Sequence, residues 1–236
     1  MSLTESIAIL QKYFETPYNG HVFIFTNKVT LLDIQQHSFT EILSHGNALR
    51  KHSFAMSIFN AILAFADGLE GKRILDIGGN TGYFSFLATE TGANAIMVER
   101  LELQAKVAKA MADIRGLKVQ IINGLIQDYL DANAETYDCA FMFNVFDQML
   151  RENEVVAWKV LRQVSERSKM LFLMMGPTEQ IPKAKGLVTS TPLNAALAIS
   201  RFDKPDYEVI LEKTMYKNYE VLATHIYGNR QLQVYW

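Results

Sequence analysis

The feature that most constrains the fold is an alternation that begins at Arg73. Short, almost wholly apolar runs take turns with segments rich in helix formers. "RILDIGG" reads as a strand ending in glycine, and "YFSFLATETG" as a helix stopped at Gly92. "AIMVER" (95–100) is a second strand, followed by a helix in "LELQAKVAKAMADIRG" that ends at Gly116. "KVQIING" (118–124), "YDCAFMFNVF" (137–146) and "KMLFLMMGP" (169–177) read as the third, fourth and fifth strands. A helix in "RENEVVAWKVLRQVSERS" has Val156, Val160 and Val164 at four-residue spacing, with Trp158 and Leu161 beside them. Strands that are apolar on both sides must be covered on both faces. With helices between them they imply a parallel α/β sheet wound in two directions. The end of the chain differs: "YEVLATHIYGNRQLQVYW" holds two strand-like runs around Gly228-Asn229, so an antiparallel pair should finish the sheet.

The first 70 residues follow another pattern. "HVFIFTNKVTLL" reads as a small hairpin around Thr26-Asn27, and "NALRKHSFAMSIFNAILAFADG" as an amphipathic helix leading into the first strand. The domain reading is therefore a mostly helical appendage or substrate cap over 1–70 and an α/β domain over 71–236. Within the latter, a proline-broken insert over 177–206 reads as a lid with one short helix around 194–200.

Totals exclude several classes. Net charge is −2 over 236 residues, so no broad basic field points to DNA or RNA. "LRKH" and "IPKAKG" leave room for a local basic patch. Cys139 is the only cysteine, which excludes an intramolecular disulfide and a cysteine-cluster metal site. His37, His45 and His52 match no usual metal spacing and read as solvated or core residues. No stretch is long and apolar enough to span a bilayer, and "MSLTESIAILQKYF" lacks the basic-then-apolar pattern of a leader. The expectation is a cytoplasmic protein with no membrane partner and no metal.

Ligands of an open parallel sheet lie beyond the carboxyl ends of its strands. The loop Gly78-Gly79-Asn80-Thr81-Gly82 lies at such an end, with Asp76 just before it and Glu99 closing the next strand. Glycine admits positive φ and close backbone approach, and the following helix offers free N–H groups. Three ligands compete for such a loop. The phosphate-binding string G-x-x-x-x-G-K-[S/T] does not occur. The dinucleotide string G-x-G-x-x-G, begun at Gly78, meets Asn80 and Tyr83 where glycine is required. A nucleoside without phosphates is the third, and a carboxylate such as Glu99 can accept from both hydroxyls of a ribose. Tyr83 and Phe84 stand at the loop exit, within reach of a ligand or of the helix core.

"LDIGGNTGYFSF" resembles the first motif of the class I S-adenosylmethionine-dependent methyltransferases, in the variant with asparagine at the middle glycine position. The likeness runs from Leu69 to Pro177 and extends loosely to the C-terminal hairpin. It implies a Rossmann-like, seven-stranded, mostly parallel sheet with an antiparallel end, and S-adenosyl-L-methionine as cofactor. It also implies that Asp76 helps hold the methionine end, that Gly78, Gly79, Asn80 and Gly82 pass close to it, and that Glu99, with Arg100 beside it, lies at the ribose. Gly124, Leu125 and Ile126 would flank the adenine, and Asn144 and Val145 would face the transfer site. Many relatives carry an acid where this chain has Leu125. "NVFDQML" resembles a run found in small-molecule and some RNA methyltransferases, with Asp147 where histidine often stands. The chain lacks the Asn/Asp-Pro-Pro-Tyr/Phe run of enzymes that methylate DNA amino groups.

These residues point to a methyltransferase acting on a small molecule, with an RNA acceptor as a variant and a homodimer as one assembly state. The alternative is a catalytically inactive protein of this fold serving as a scaffold. No residue stands out as a general base. Asp128 and Asp147 read as surface or capping carboxylates, and Cys139 as a small buried apolar residue.

Overall fold

The computed structural model describes residues 48–175, 206–226 and 230–236, together with residues 5, 6, 8 and 9. The hairpin expected at Thr26-Asn27, the insert at 177–206 with its short helix, and the turn at Gly228-Asn229 lie outside the described residues, except for Asp206. So do His37 and His45.

The described chain opens with helix α1 (Ala48–Phe65). Ala55, Ile58, Phe59, Ile62 and, just beyond the helix, Ala66 are buried, the three-and-four spacing of one helical face. Strand β1 (Arg73–Ile77) follows, then α2 (Tyr83–Glu90), β2 (Asn94–Glu99), α3 (Glu102–Arg115) and β3 (Gln120–Asn123). Next come α4 (Ile126–Ala132), β4 (Tyr137–Phe143), α5 (Phe146–Glu152), α6 (Glu154–Arg167) and β5 (Ser168–Met174). Helix α7 (Asp206–Lys213) and strands β6 (Tyr219–Ile226) and β7 (Arg230–Tyr235) complete the order.

The strands form one seven-stranded sheet in the order β3-β2-β1-β4-β5-β7-β6. The order reverses at β1, where the chain moves from one side of the sheet to the other, and this is the place where α/β sheets bind ligands. Strands β1 and β2 pair in parallel from Arg73↔Asn94 to Ile77↔Val98, and β2 and β3 from Ile96↔Gln120 to Glu99↔Asn123. β7 runs antiparallel to both β5 and β6. The parallel, doubly wound sheet with an antiparallel end is thus present as expected.

Local chemistry explains the element ends. Helix α3 stops at Gly116, whose φ of 66° is the left-handed cap; Leu117 N–H then donates to the Ala112 carbonyl at 2.9 Å. The helix expected from Arg151 is present as α6, starting at Glu154, and an unanticipated short helix, α5, precedes it where the end of the fourth strand was expected. Asn153 sits between them in extended conformation, and its side chain accepts from Val156 N–H at 3.2 Å, capping α6. Helices α4 and α7 were not anticipated, because each has a short stretch without sustained apolar periodicity.

By their contacts the described residues group into two compact units that divide after Phe141, within β4. In the first, Ile74, Leu75, Met97, Phe86, Val107 and Met111 are fully buried. In the second, Phe146, Leu161, Phe172, Leu232, Val234 and Tyr235 are.

Candidate functional site

In the first unit the site grows from the carboxyl ends of β1, β2 and β3. The parallel ladder extends one step beyond β1, with Gly78 N–H donating to the Val98 carbonyl at 2.8 Å. Gly82 N–H then closes the loop onto the Gly79 carbonyl at 2.9 Å. Two glycines here leave no room for a side chain. A Cβ on Gly79 would lie 2.7 Å from Met97 Cγ and 2.8 Å from Asp76 Oδ2. Gly82 has φ of 91°, and its Cβ would lie 2.5 Å from the ring of Phe86.

Asn80 takes the middle glycine position with φ of 55°, a left-handed conformation that asparagine tolerates better than most residues. Its N–H donates to Glu99 Oε2 at 2.8 Å. The other oxygen, Oε1, accepts from Leu101 N–H at 2.8 Å. Glu99 is 5% exposed. It is therefore a buried carboxylate with a fixed direction, not a solvated strand end, and it ties the glycine loop to the end of β2. Each oxygen keeps a lone pair for a further donor. The same corner holds β3: Gly124 N–H and Asn123 Nδ2 both donate to the Glu99 carbonyl, at 3.0 and 2.9 Å. Asn123 Nδ2 also donates to the Arg100 carbonyl at 3.2 Å.

Asp76 is 3% exposed and accepts from Ser85 Oγ at 2.6 Å. Burial pushes its carboxyl up to about 6, the hydrogen bonds from Ser85 oppose the shift, and the nearby Glu99 adds to it.

The other expected positions are distributed as follows. Gly124 is half-buried, Leu125 is 43% exposed at the start of α4, and Ile126 is buried. Arg100 is exposed. Tyr83 and Phe84 are buried in the first turn of α2, their rings edge to face at 5.1 Å. Burial, with Glu90 nearby, raises the Tyr83 phenol above its usual range. In the second unit, Asn144 follows β4 with φ of 60°, its N–H donating to the Met174 carbonyl at 2.6 Å. Val145 caps α5. Asp147 is buried rather than on the surface and pairs with Arg151 at 3.3 Å. Asp128 is exposed in the first turn of α4, where a carboxylate complements the helix dipole. Among the described residues, the side-chain carbonyls of Asn80 and Asn144 are buried and accept no hydrogen bond.

Sequence reasoning passed over two residues of this site. Leu101 closes the hydrogen bond to Glu99 while its side chain stays 45% exposed. Ser85 is the partner of Asp76. Nothing local marks Leu101. A serine inside an otherwise apolar helix face was the available signal for Ser85. Among the described residues there is no cluster of potential metal ligands, and no helix is long and apolar enough to cross a membrane.

Known proteins resemble this chain in sequence and in fold. Residues 75–172 match the family described as "Methyltransferase domain". Ubiquinone biosynthesis O-methyltransferase of Vibrio parahaemolyticus is 34% identical over 79 residues, which is 34% of this chain and 34% of that protein. Protein arginine N-methyltransferase 1 of Saccharomyces cerevisiae is 27% identical over 108 residues, 44% of this chain and 31% of that one. The chain thus spans about a third of the length of the curated relatives it matches. The N-terminal domain of EvdMO1, solved with S-adenosylhomocysteine bound, shares the fold at a TM-score of 0.59 and 14% identity, covering 100% of this chain and 97% of that one. Residues 75–172 thus carry the sequence pattern of that methyltransferase-domain family, and the chain shares the fold of a protein solved with S-adenosylhomocysteine bound.

Proposed function

We propose that the chain is a methyltransferase that binds S-adenosyl-L-methionine on the first unit and methylates a small molecule. The observation that carries the reading is Glu99, a buried carboxylate held by Asn80 N–H on one oxygen and Leu101 N–H on the other. An acceptor so oriented at the end of β2 suits the paired hydroxyls of a ribose. The cradle fits the rest of the group as well. Gly78, Gly79 and Gly82 keep the loop backbone bare, and the unpartnered Asn80 carbonyl offers an acceptor. The exposed leucines 101 and 125 offer apolar surface for a base, with Gly124 and Ile126 beside Leu125 and Arg100 beside Leu101. Asp76, a buried carboxylate against the glycine loop, suits a cationic amino-acid end. Tyr83 and Phe84, buried in the first turn of α2, stand at the loop exit.

When bound, the cofactor supplies a methyl group on a sulfonium, so the protein need only bind, orient and exclude water. The likeness to an O-methyltransferase of ubiquinone biosynthesis and the low net charge support a small-molecule acceptor over RNA. Residues 1–70 and 177–206 would serve as cap and lid. The buried lone Cys139 suits a reducing, cytoplasmic setting.

A thermal-shift screen with S-adenosylhomocysteine, S-adenosylmethionine, NAD and ATP tests the cofactor. A ligand at a hundred times its Kd adds about 2.7 kcal/mol, a rise of about 5–10 °C for a chain of this size. The rise is expected with the two sulfur nucleosides and not with NAD or ATP. A rise without turnover on any acceptor would favour the scaffold, and no rise would overturn the reading.

A further inference from the structure

Asp76 and Ser85 form a buried pair that the loop chemistry alone does not require. Ser85 lies on α2 and is fully buried. A serine inside a helix commonly turns its hydroxyl back onto a carbonyl of the preceding turn. Here it donates across to Asp76 Oδ2 at 2.6 Å instead. The Ser85 backbone N–H also bonds this carboxylate. A buried hydroxyl gains little by packing, and alanine would fill nearly the same space. The oxygen it serves is the one 2.8 Å from where a Gly79 Cβ would stand, so the carboxylate lies against the glycine loop.

The surroundings make the contact matter. From β2, Glu99 presents a like charge and Met97 an apolar side chain. From α2, Ser85 donates through its hydroxyl and its backbone N–H. Burial and Glu99 both favour the neutral acid, and the two Ser85 donors favour the carboxylate.

We propose that Ser85 is a positioning residue, holding Asp76 ionised and turned toward the glycine loop so that it can receive the cationic end of the cofactor. This rests on the cofactor reading above. The consequence is cofactor affinity that falls as Asp76 takes up a proton near pH 6.

Two measurements on the full chain test it. Carbon-detected NMR follows the Asp76 carboxyl in wild type and Ser85→Ala, assigned by its loss in Asp76→Asn, without any ligand. The midpoint should rise by about one pH unit in Ser85→Ala, as expected when one charge-assisted hydrogen bond to an ionised group is lost. Calorimetry with S-adenosylhomocysteine should then find Ser85→Ala about threefold weaker at pH 6.5, with the gap narrowing above pH 8. An unmoved carboxyl midpoint overturns the proposal, and so does an affinity loss that is the same at every pH, the mark of a merely structural serine. If wild type binds no S-adenosylhomocysteine at any pH, it is the cofactor reading that fails. The carboxyl titration then decides alone whether Ser85 holds Asp76 ionised.

Discussion

Two carboxylates at the end of a parallel sheet are treated differently by their neighbours. Glu99 has backbone N–H donors on both oxygens, while Asp76 accepts from the Ser85 hydroxyl. Removing the Glu99 side chain should therefore cost more than a ribose contact, because Asn80 N–H loses its partner too. We expect Glu99→Ala to weaken S-adenosylhomocysteine binding by about 1.5–3 kcal/mol, read by calorimetry on folded protein. Unchanged affinity would remove Glu99 from the site. Asp76 carries a stability cost whose sign follows from its raised carboxyl. Between the ordinary aspartate value of 3.8 and about 6, the folded protein holds a proton that the unfolded chain has released. Folding therefore loses stability as pH rises through that window and is level above it. The full shift corresponds to about 3 kcal/mol, at about 1.36 kcal/mol per unit. Asp76→Asn should thus be more stable than wild type at pH 7.5 while binding cofactor poorly, and the stability gap should shrink at pH 4.5. Denaturant melts at the two pH values check both statements.

At the scale of elements, the loop between β1 and α2 depends on missing side chains and α6 on one present side chain. In Gly79→Ala the new methyl must displace Met97 or the Asp76 carboxylate, both within 3 Å of it. We expect a loss of about 1–3 kcal/mol in stability from overpacking, together with weaker cofactor binding because Asp76 turns. Thermal unfolding and calorimetry on the same sample separate the two effects. Asn153→Ala removes the cap of α6, far in sequence from the loop, and should cost about 1 kcal/mol with cofactor affinity unchanged. A change in affinity there would mean that the junction of α5 and α6 acts on the site.

For the whole molecule, net charge decides between acceptors. With −2 over the chain, binding of a small acceptor should depend weakly on salt. An RNA acceptor held through six or more phosphates would lose about a thousandfold in affinity between 50 and 200 mM salt. Once an acceptor is found, kcat/KM at those two concentrations distinguishes the classes. A small-molecule acceptor predicts a change of less than about threefold, since little screening of phosphate contacts is involved.

Periodicity and punctuation determined much of this protein. Runs such as "RILDI" and "AIMVE" are apolar on both sides, so only a covered parallel sheet could hold them. Gly116 could end α3 because glycine alone adopts its cap without strain. Gly78, Gly79, Asn80, Gly82 and Glu99 could be picked out as one candidate site because strand ends in such a sheet share an edge, and Gly124 joined them only through the family resemblance. What no local pattern contained was the state of each side chain, since burial and partners come from segments distant in the sequence. Glu99 could have been a solvated strand end until Asn80 and Leu101 were brought to it. Asp147 read as a surface or capping group and is buried against Arg151. Ser85 could have been a filler in a helix, yet the packing of α2 on β1 sets its hydroxyl 2.6 Å from Asp76. Desolvation and hydrogen bonding act over a few ångströms in space, whichever residues supply them, and so only the tertiary structure decided which carboxylates are buried, which are held and which are charged.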